Sequence, residues 1–516
     1  MHRVLIGFEI LVLTALVLAT RCANYHDVSV DGRIYFTDAD CYARMTRVRI
    51  CAEHPGTIVR HHDFENFPQG TTPHTTAPLD YLILGLAVLL KPFTTESVDL
   101  AGALISPVLA LIGGWFLWWW SKRMNLRHRW TMLILYTISP ILVHGTEFGR
   151  PDHQSLLMLL VTVGICAEWR LWSERSRGWS VVSAFAWALA LWVSCYEPLI
   201  LFAIIVAVGL TKDRAAVFAP HRRPGWIVFG LVMALELLIE RRIAGPLSIF
   251  HQGIFFRNWS RTIGELAHVS PINRVWFVWA GYLIVVTPIF VWLGIRKRSA
   301  PPVPILAVLI ATYCLTIWQA RWAYFFLSVF AISLPVLLAP FKSRTAVWFA
   351  CALSIFPILQ FWDAKIWPNQ TELLARIERR NEASDLRALA ATIRSDQTHA
   401  FLAPWWLSPS ISYWSGQPGV AGSSHEALAG TADSARFFAS EDPQTARKIL
   451  EQHRTEWVIA YDWDRVAQNS AAVLGLTPAE DALGHILDRT PASAPPYLVL
   501  SGQNRTAKLF RFADKL

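Results

Sequence analysis

Charge is what this 516-residue chain has least of. Only 16% of its residues are Asp, Glu, Lys or Arg, against roughly 25% in soluble domains, which excludes an ordinary soluble enzyme as the whole molecule. Cysteine is sparse as well: seven residues, scattered, exclude a disulfide scaffold. Cys166, Cys195, Cys314 and Cys351 fall inside apolar runs and read as core residues. Cys41 and Cys51 are close enough to pair, with two free thiols the simpler reading. A net charge of +9 and a pI near 9.3 suit a nucleic-acid partner in principle. The basic residues, however, stand in short clusters between apolar runs, where membrane topology signals belong, so no nucleic acid is expected.

What is present is apolar. Hydrophobic residues make up 53% of the chain, mean hydropathy is +0.34, and long apolar runs recur through residues 4–362, while 363–516 carry the regular charges and turns of soluble protein. About 20 apolar residues cross a hydrocarbon core of about 30 Å. On that measure spans are expected near 4–20, 98–120, 130–145, 154–170, 180–194, 197–210, 226–241, 276–294, 303–318, 321–339 and 346–362. The fold class is therefore a polytopic α-helical membrane protein of about 11–13 spans with a small C-terminal α/β domain. The first span reads as an anchor, since no small-residue cleavage site follows it. Basic clusters at Lys122–Arg129, Arg170–Arg177, Lys212–Arg223, Arg296–Arg298 and Lys342–Arg344 mark cytoplasmic loops. Loops 22–97, 145–153 and 242–275 and the tail then share the external side.

The polar chemistry lies in those external loops. The first carries Asp38 and Asp40, two apart, which suit either a cation site or a helix N-cap. It also carries His54, His61, His62, Asp63 and His74, zinc-type ligands whose spacing matches no zinc template, so solvent-exposed loop histidines are expected instead. The second is Glu147–Gln154, with Asp152 and His153 at a span end, where an acidic residue is costly unless used or hydrated; a helix cap is the alternative. The third contains Glu265. Carboxylates from separate loops on one face suit a hard divalent ion such as Mg²⁺ or Mn²⁺. Such an ion neutralises a phosphate leaving group. A transporter would instead place ionisable groups near the bilayer midplane, and the spans hold few such residues apart from Glu197, Glu236 and Glu240, near their ends.

At these loops the sequence resembles the catalytic subunit family of the oligosaccharyltransferases, GT-C fold enzymes that move a glycan from a polyprenyl carrier to protein asparagine. The resemblance rests on Asp40, Tyr42 and Arg44; on Gly149, Asp152 and His153; on Thr262, Ile263 and Glu265; and on Gln319–Phe325 around Arg321, in that order along the chain. In the tail it continues through Phe401–Trp406, Ser440–Asp442 and Trp457–Tyr461. It implies Asp40 and Glu265 as catalytic groups that engage the acceptor, Asp40, Asp152, Glu265 and His153 at a divalent-cation site (Mg²⁺ or Mn²⁺), Arg321 on the donor phosphate, and Trp405 and Trp406 at the acceptor. It further implies a prokaryotic plasma-membrane enzyme, residues 1–362 forming the catalytic membrane domain and 363–516 an extracytoplasmic, periplasmic domain.

Two departures from the family pattern stand out. Gln154 occupies a position that is commonly acidic or His, and the WWDYG motif reads here Trp405-Trp406-Leu407-Ser408-Pro409. Leu407 cannot accept a hydrogen bond from a sequon hydroxyl, which leaves a lipid, a polymer or another side chain open as acceptor, and packing as the role of the Trp pair. A transporter or a degenerate homologue is the non-enzymatic alternative. In the tail, strands are expected at Ala400–Ala403, Trp457–Tyr461, Tyr497–Leu500 and Lys508–Phe512, helices at Asp385–Ile393 and Pro443–His453, and a Ser/Gly/Pro-rich loop at Ser408–Thr431.

Overall fold

The structure is a computed structural model that describes residues 2–242 and 253–513. Packing divides the described residues into two compact units, one within Met1–Val28, Leu100–Gly245 and Glu265–Gln370, the other within Ser29–Asp99, Pro246–Gly264 and Thr371–Leu516.

The first unit is helical. Val4–Arg21, Ser97–Arg123, His153–Ser173 and Ala320–Leu337 are long and apolar enough to cross a membrane, and the bent pair Arg344–Ser354 and Phe356–Ile366 adds a fifth. The chain is thus a membrane protein. The other expected spans are helices too, but shorter or broken: Arg177–Val193, Tyr196–Lys212, Arg223–Glu240 and Val303–Trp318 are continuous, whereas 130–145 and 276–294 are each interrupted. Ser139 takes an extended conformation before Pro140, splitting Arg129–Ile138 from Pro140–His144, because a proline disfavours the helical region for its predecessor. Gly281, at φ +76°, separates Val275–Ala280 from Leu283–Arg296. The helix His153–Ser173 packs on Arg177–Val193, and Gly164 permits the approach: a Cβ there would stand 2.8 Å from the Trp187 ring.

The second unit contains a four-stranded sheet. A short hairpin, β1 (Ser29–Val30) with β2 (Arg33–Ile34), precedes β3 (Ala400–Leu402), β4 (Thr455–Tyr461), β5 (Leu498–Gln503) and β6 (Ala507–Phe512). The sheet order is β3-β4-β6-β5, with β3 parallel to β4 and the other pairs antiparallel. Its helices include Gln370–Thr392 and Pro443–Gln452, the latter capped by the Asp442 carboxylate on the Gln444 and Thr445 amides. Several elements differ from expectation. Pro78–Leu90, inside the expected loop 22–97, is a helix opened by Pro78. The segment expected as a loop, Ser408–Thr431, holds a buried helix at Ser408–Ser415 and begins another at Leu428. Tyr413 and Trp414 account for the first of these, since their rings pack on Phe36 and Tyr42, and burial of that aromatic face outweighs the weak helix propensity of Ser and Pro. Residues 243–252 of the expected loop 242–275 lie outside the described residues; from Gly253 a helix runs to Ser260.

Candidate active site

In the first unit, a short loop between the helices Pro140–His144 and His153–Ser173 is pinned on both sides. The Phe148 amide donates to Arg21 O (2.8 Å) and the Gly149 amide to Ala103 O (2.9 Å), while Asn24 Nδ2 donates to Phe148 O (2.7 Å). Gly149 has φ +80°, and a Cβ there would stand 2.6 Å from the Val28 methyls; only glycine gives this turn without strain. The loop delivers Arg150, Asp152 and His153. Asp152 occupies the N-cap position of the following helix, yet its side chain makes no capping bond. Its Oδ1 lies 2.6 Å from His153 Nδ1 instead. The carboxylate is therefore turned away from the job a helix cap performs.

Glu265, in the short 3₁₀ turn Gly264–Leu266, is held by a closed ring of contacts. Arg150 Nη2 and the Tyr324 hydroxyl both donate to Glu265 Oε1 at 2.9 Å. His144 Nδ1 stands 2.8 Å from the Tyr324 oxygen, and Arg150 Nη1 stands 3.3 Å from His144 Nε2. A guanidinium only donates, so His144 Nε2 accepts and Nδ1 carries the proton, which leaves the tyrosine free to donate to the carboxylate. This tautomer follows from the network.

Arg321 opens the helical segment Ala320–Leu337 and forms an ion pair with Glu197, which is fully buried at the start of Tyr196–Lys212. Gln154 Nε2 adds a 3.4 Å contact to Glu197, so the residue standing where an acid or His is usual supports the partner of Arg321. Glu265 and Asp152 also act electrostatically on Arg321. Its Nε is buried without a hydrogen-bond partner, a donor available to an incoming anion.

The expected cation site is tested by these contacts. Asp152 and His153 supply adjacent oxygen and nitrogen donors, which fit a divalent ion. Glu265 Oε1 fits only with Arg150 displaced, because the guanidinium stands 2.9 Å from that oxygen and 4.0 Å from Asp152 and already supplies positive charge between them.

The remaining expected residues belong to the second unit. Asp38 is the N-cap of Ala39–Glu53, its Oδ1 accepting from the Cys41 amide at 2.9 Å, which leaves Asp40 exposed on the first helical turn. Tyr42 and Arg44 are structural. The Tyr42 hydroxyl accepts from the Phe36 amide, and Arg44 and Arg47 both bind the Asp80 carboxylate, at 2.7 and 2.5 Å. Burial raises the Tyr42 phenol well above its usual range. Cys41 and Cys51 are not joined by a disulfide. Trp405 packs edge-on to Trp259 at 6.1 Å in a cluster with Leu428 and Val473, and Trp406 faces Tyr461 at 6.4 Å. The indole N–H groups of both are buried without partners.

No family model matches the sequence, and no curated protein matches it at a significant level. Solved structures do. The oligosaccharyltransferase of Archaeoglobus fulgidus, tethered to an acceptor peptide containing the NVT sequon, has a TM-score of 0.66 at 14% identity over 98% of this chain and 74% of that one. The same enzyme with Zn and sulfate gives 0.62 at 14% identity over 88% and 67%. ArnT from Cupriavidus metallidurans, bound to undecaprenyl phosphate, gives 0.56 at 12% identity over 98% and 97%. The fold is the GT-C fold. Within that GT-C frame, sequence reasoning singled out Asp152, His153, Glu265 and Arg321 but passed over Arg150, His144 and Tyr324 and gave Glu197 no role. Glu197 had a signal, an acid at the mouth of a span. The others are ordinary residues until the fold joins them.

Proposed function

We propose that the protein transfers a glycan from a polyprenyl phosphate or diphosphate carrier to an acceptor on the external face of the plasma membrane, with protein asparagine as the first acceptor. Residues 1–362 act as the membrane catalytic domain and 363–516 as the extracytoplasmic domain. The observation that carries this reading is Arg321, paired to buried Glu197 beside a carboxylate, Glu265, that is held by directed donors. Together they offer a phosphate clamp next to a group that accepts hydrogens. The fold neighbours support the carrier: their structures hold undecaprenyl phosphate in ArnT and dolichol-phosphate in the archaeal enzyme.

In this reading the acceptor nitrogen attacks the anomeric carbon, the bond from that carbon to the carrier's phosphate oxygen breaks, and the phosphate leaves with the electron pair. Arg321 binds the departing oxygens through charge-assisted hydrogen bonds. Glu265 and Asp40 accept hydrogen bonds from the amide N–H groups and weaken its conjugation, which a neutral amide needs before it can act as a nucleophile, and one of the two carboxylates takes the proton that the nitrogen loses. A divalent cation, Mg²⁺ or Mn²⁺, held by Asp40, Asp152, His153 and Glu265 would supply further neutralisation of the leaving group.

The test is glycan transfer in a cell lacking its own oligosaccharyltransferase, given a lipid-linked oligosaccharide and a sequon-bearing reporter. Wild type should modify the sequon asparagine, and Asp40→Ala and Glu265→Ala should abolish it; transfer that survives both substitutions overturns the reading. Leu407, in place of the acidic residue that reads a sequon hydroxyl, favours a second acceptor class. Equal use of peptides with and without Ser/Thr two residues beyond asparagine would support that class.

A further inference from the structure

Among the described residues, one group of three metal-ligating side chains comes together, and it involves none of the residues assigned above. His74, from the loop of clustered histidines, lies with His425 and Glu426, their ligand atoms all within 4.8 Å of one another. We propose that these side chains, all in the second unit, bind a zinc ion, separate from the Asp152–Glu265 site and independent of the transfer reaction.

The geometry is close to that of a three-ligand site. Zinc bonded at about 2.1 Å in tetrahedral arrangement separates its ligand atoms by about 3.4 Å. His425 Nε2 lies 3.4 Å and His74 Nδ1 2.8 Å from Glu426 Oε1, so one contact already has the right length and the other must open by about half an ångström. The Glu426 side chain is only 7% exposed, and its second oxygen, Oε2, is buried with no hydrogen-bond partner. An oxygen in that state costs free energy unless something binds it. Two imidazole nitrogens with one carboxylate favour zinc over Mg²⁺ or Ca²⁺, which prefer all-oxygen sets. Three protein ligands leave a fourth position for water. To bind, His74 turns the Nδ1 lone pair to the metal and keeps its ring proton on Nε2; a net proton is released only from a doubly protonated ring.

The two segments are already fastened together without metal. Glu65 Oε1 accepts from the Ser423 amide and Asn66 Oδ1 from the Gly430 amide, each at 2.9 Å. Burial raises the Glu65 carboxyl to about 7, the Glu426 charge adding to the shift. The same turn places Leu428 against Trp259 and Trp405. The ion would therefore brace the wall on which Trp405 rests.

The test is zinc content, measured by elemental analysis on purified full-length protein that has been stripped with chelator, reloaded with Zn²⁺ in excess Mg²⁺ and desalted. Wild type and Asp152→Ala should each retain about one equivalent in this site, and Glu426→Gln, which keeps the side-chain volume, should bind zinc about tenfold more weakly or worse. His74→Ala with His425→Ala should lose that equivalent. Cobalt loading gives a second reading: wild type should show the intense visible absorption of four-coordinate Co²⁺, and Glu426→Gln should not. Equal zinc in wild type and Glu426→Gln, or no zinc in wild type, overturns the proposal. Zinc lost only in Asp152→Ala would assign the ion to the other site and overturn it equally.

Discussion

The Tyr324 hydroxyl and Arg150 Nη2 converge on a single oxygen, Glu265 Oε1, each at 2.9 Å. Two directed donors on one oxygen fix the carboxylate's rotation and leave Oε2 as its accepting edge. The ring closes through His144, so the orientation of Glu265 depends on residues from the helix Pro140–His144, the loop after it and Ala323–Leu337.

Removing one donor tests this. Hydrogen bonds to charged groups contribute about 1.5–3 kcal/mol, so Tyr324→Phe should slow transfer by roughly 10- to 100-fold while the protein stays folded. Single-turnover rates at saturating donor are the measurement, and an unchanged rate would show that Glu265 needs no such anchoring.

Glu197 should matter to stability. Breaking a buried pair by removing one partner costs about 3–5 kcal/mol, because the other charge is left uncompensated. Arg321 keeps 20% of its side chain exposed, which puts Glu197→Gln at the low end, about 3 kcal/mol. Thermal unfolding in detergent should show the loss, and adding Arg321→Gln should restore part of it. A double variant less stable than Glu197→Gln alone would contradict the pairing.

The loop turn is a third point. Gly149→Ala should drive the Cβ into Val28 and impose a positive φ on alanine, displacing Arg150 and Asp152 together. Transfer should fall at least about tenfold, by analogy with other small displacements of catalytic groups. Gly230→Ala, at a helical glycine with open space around it, should leave transfer near wild type and serves as the control.

In the second unit, His453 offers a pH test. Its Nδ1 lies 2.6 Å from Phe67 O and its Nε2 3.0 Å from Asp433 Oδ2, two acceptors that favour the doubly protonated ring. Burial works against that charge, but these bonds outweigh it and hold the His453 pKa above its ordinary value. Asp433 is also partly buried, which alone would raise it, yet the His453 and Arg436 bonds hold it below the usual carboxylate range. A raised His pKa gives stability that is complete below about 6.5 and lost as pH climbs through the raised value. A depressed Asp pKa gives stability that is complete above about 3.9 and lost as pH falls through the depressed value. Amide-exchange protection around β4 in wild type should therefore be greatest between about pH 4 and 6.5. His453→Gln should flatten the alkaline decline, and a decline of wild-type steepness in that variant would remove His453 as its cause.

Much of this molecule was legible in its sequence, for identifiable reasons. Spans announce themselves because lipid demands long uninterrupted apolar runs. The tail strands were legible from their apolar runs: β4 was expected at Trp457–Tyr461 and forms Thr455–Tyr461. Two breaks were written at Pro140 and Gly281, yet hydropathy averages over such residues. The helix Ser408–Ser415 escaped because its composition is that of a loop and its stability comes from ring contacts across the chain. At the candidate site the charged residues were visible one by one. Their partners were not, since the bond from Tyr324 to Glu265 joins positions 59 residues apart and no local pattern encodes it. Asp38 and Asp40 show the converse: as letters they are equivalent, and only the helix start makes the first a cap.

The pairing of Arg321 with buried Glu197 also bears on selectivity. A membrane surface is crowded with singly charged phosphodiesters, and a bare guanidinium would collect them. Once matched by an interior carboxylate, it presents almost no net attraction to such headgroups. A more highly charged phosphate group, able to take several donors at once, can still compete for it. On the proposed function, the paired site would be neutral towards ordinary lipid and would yield only to a donor carrying a pyrophosphate.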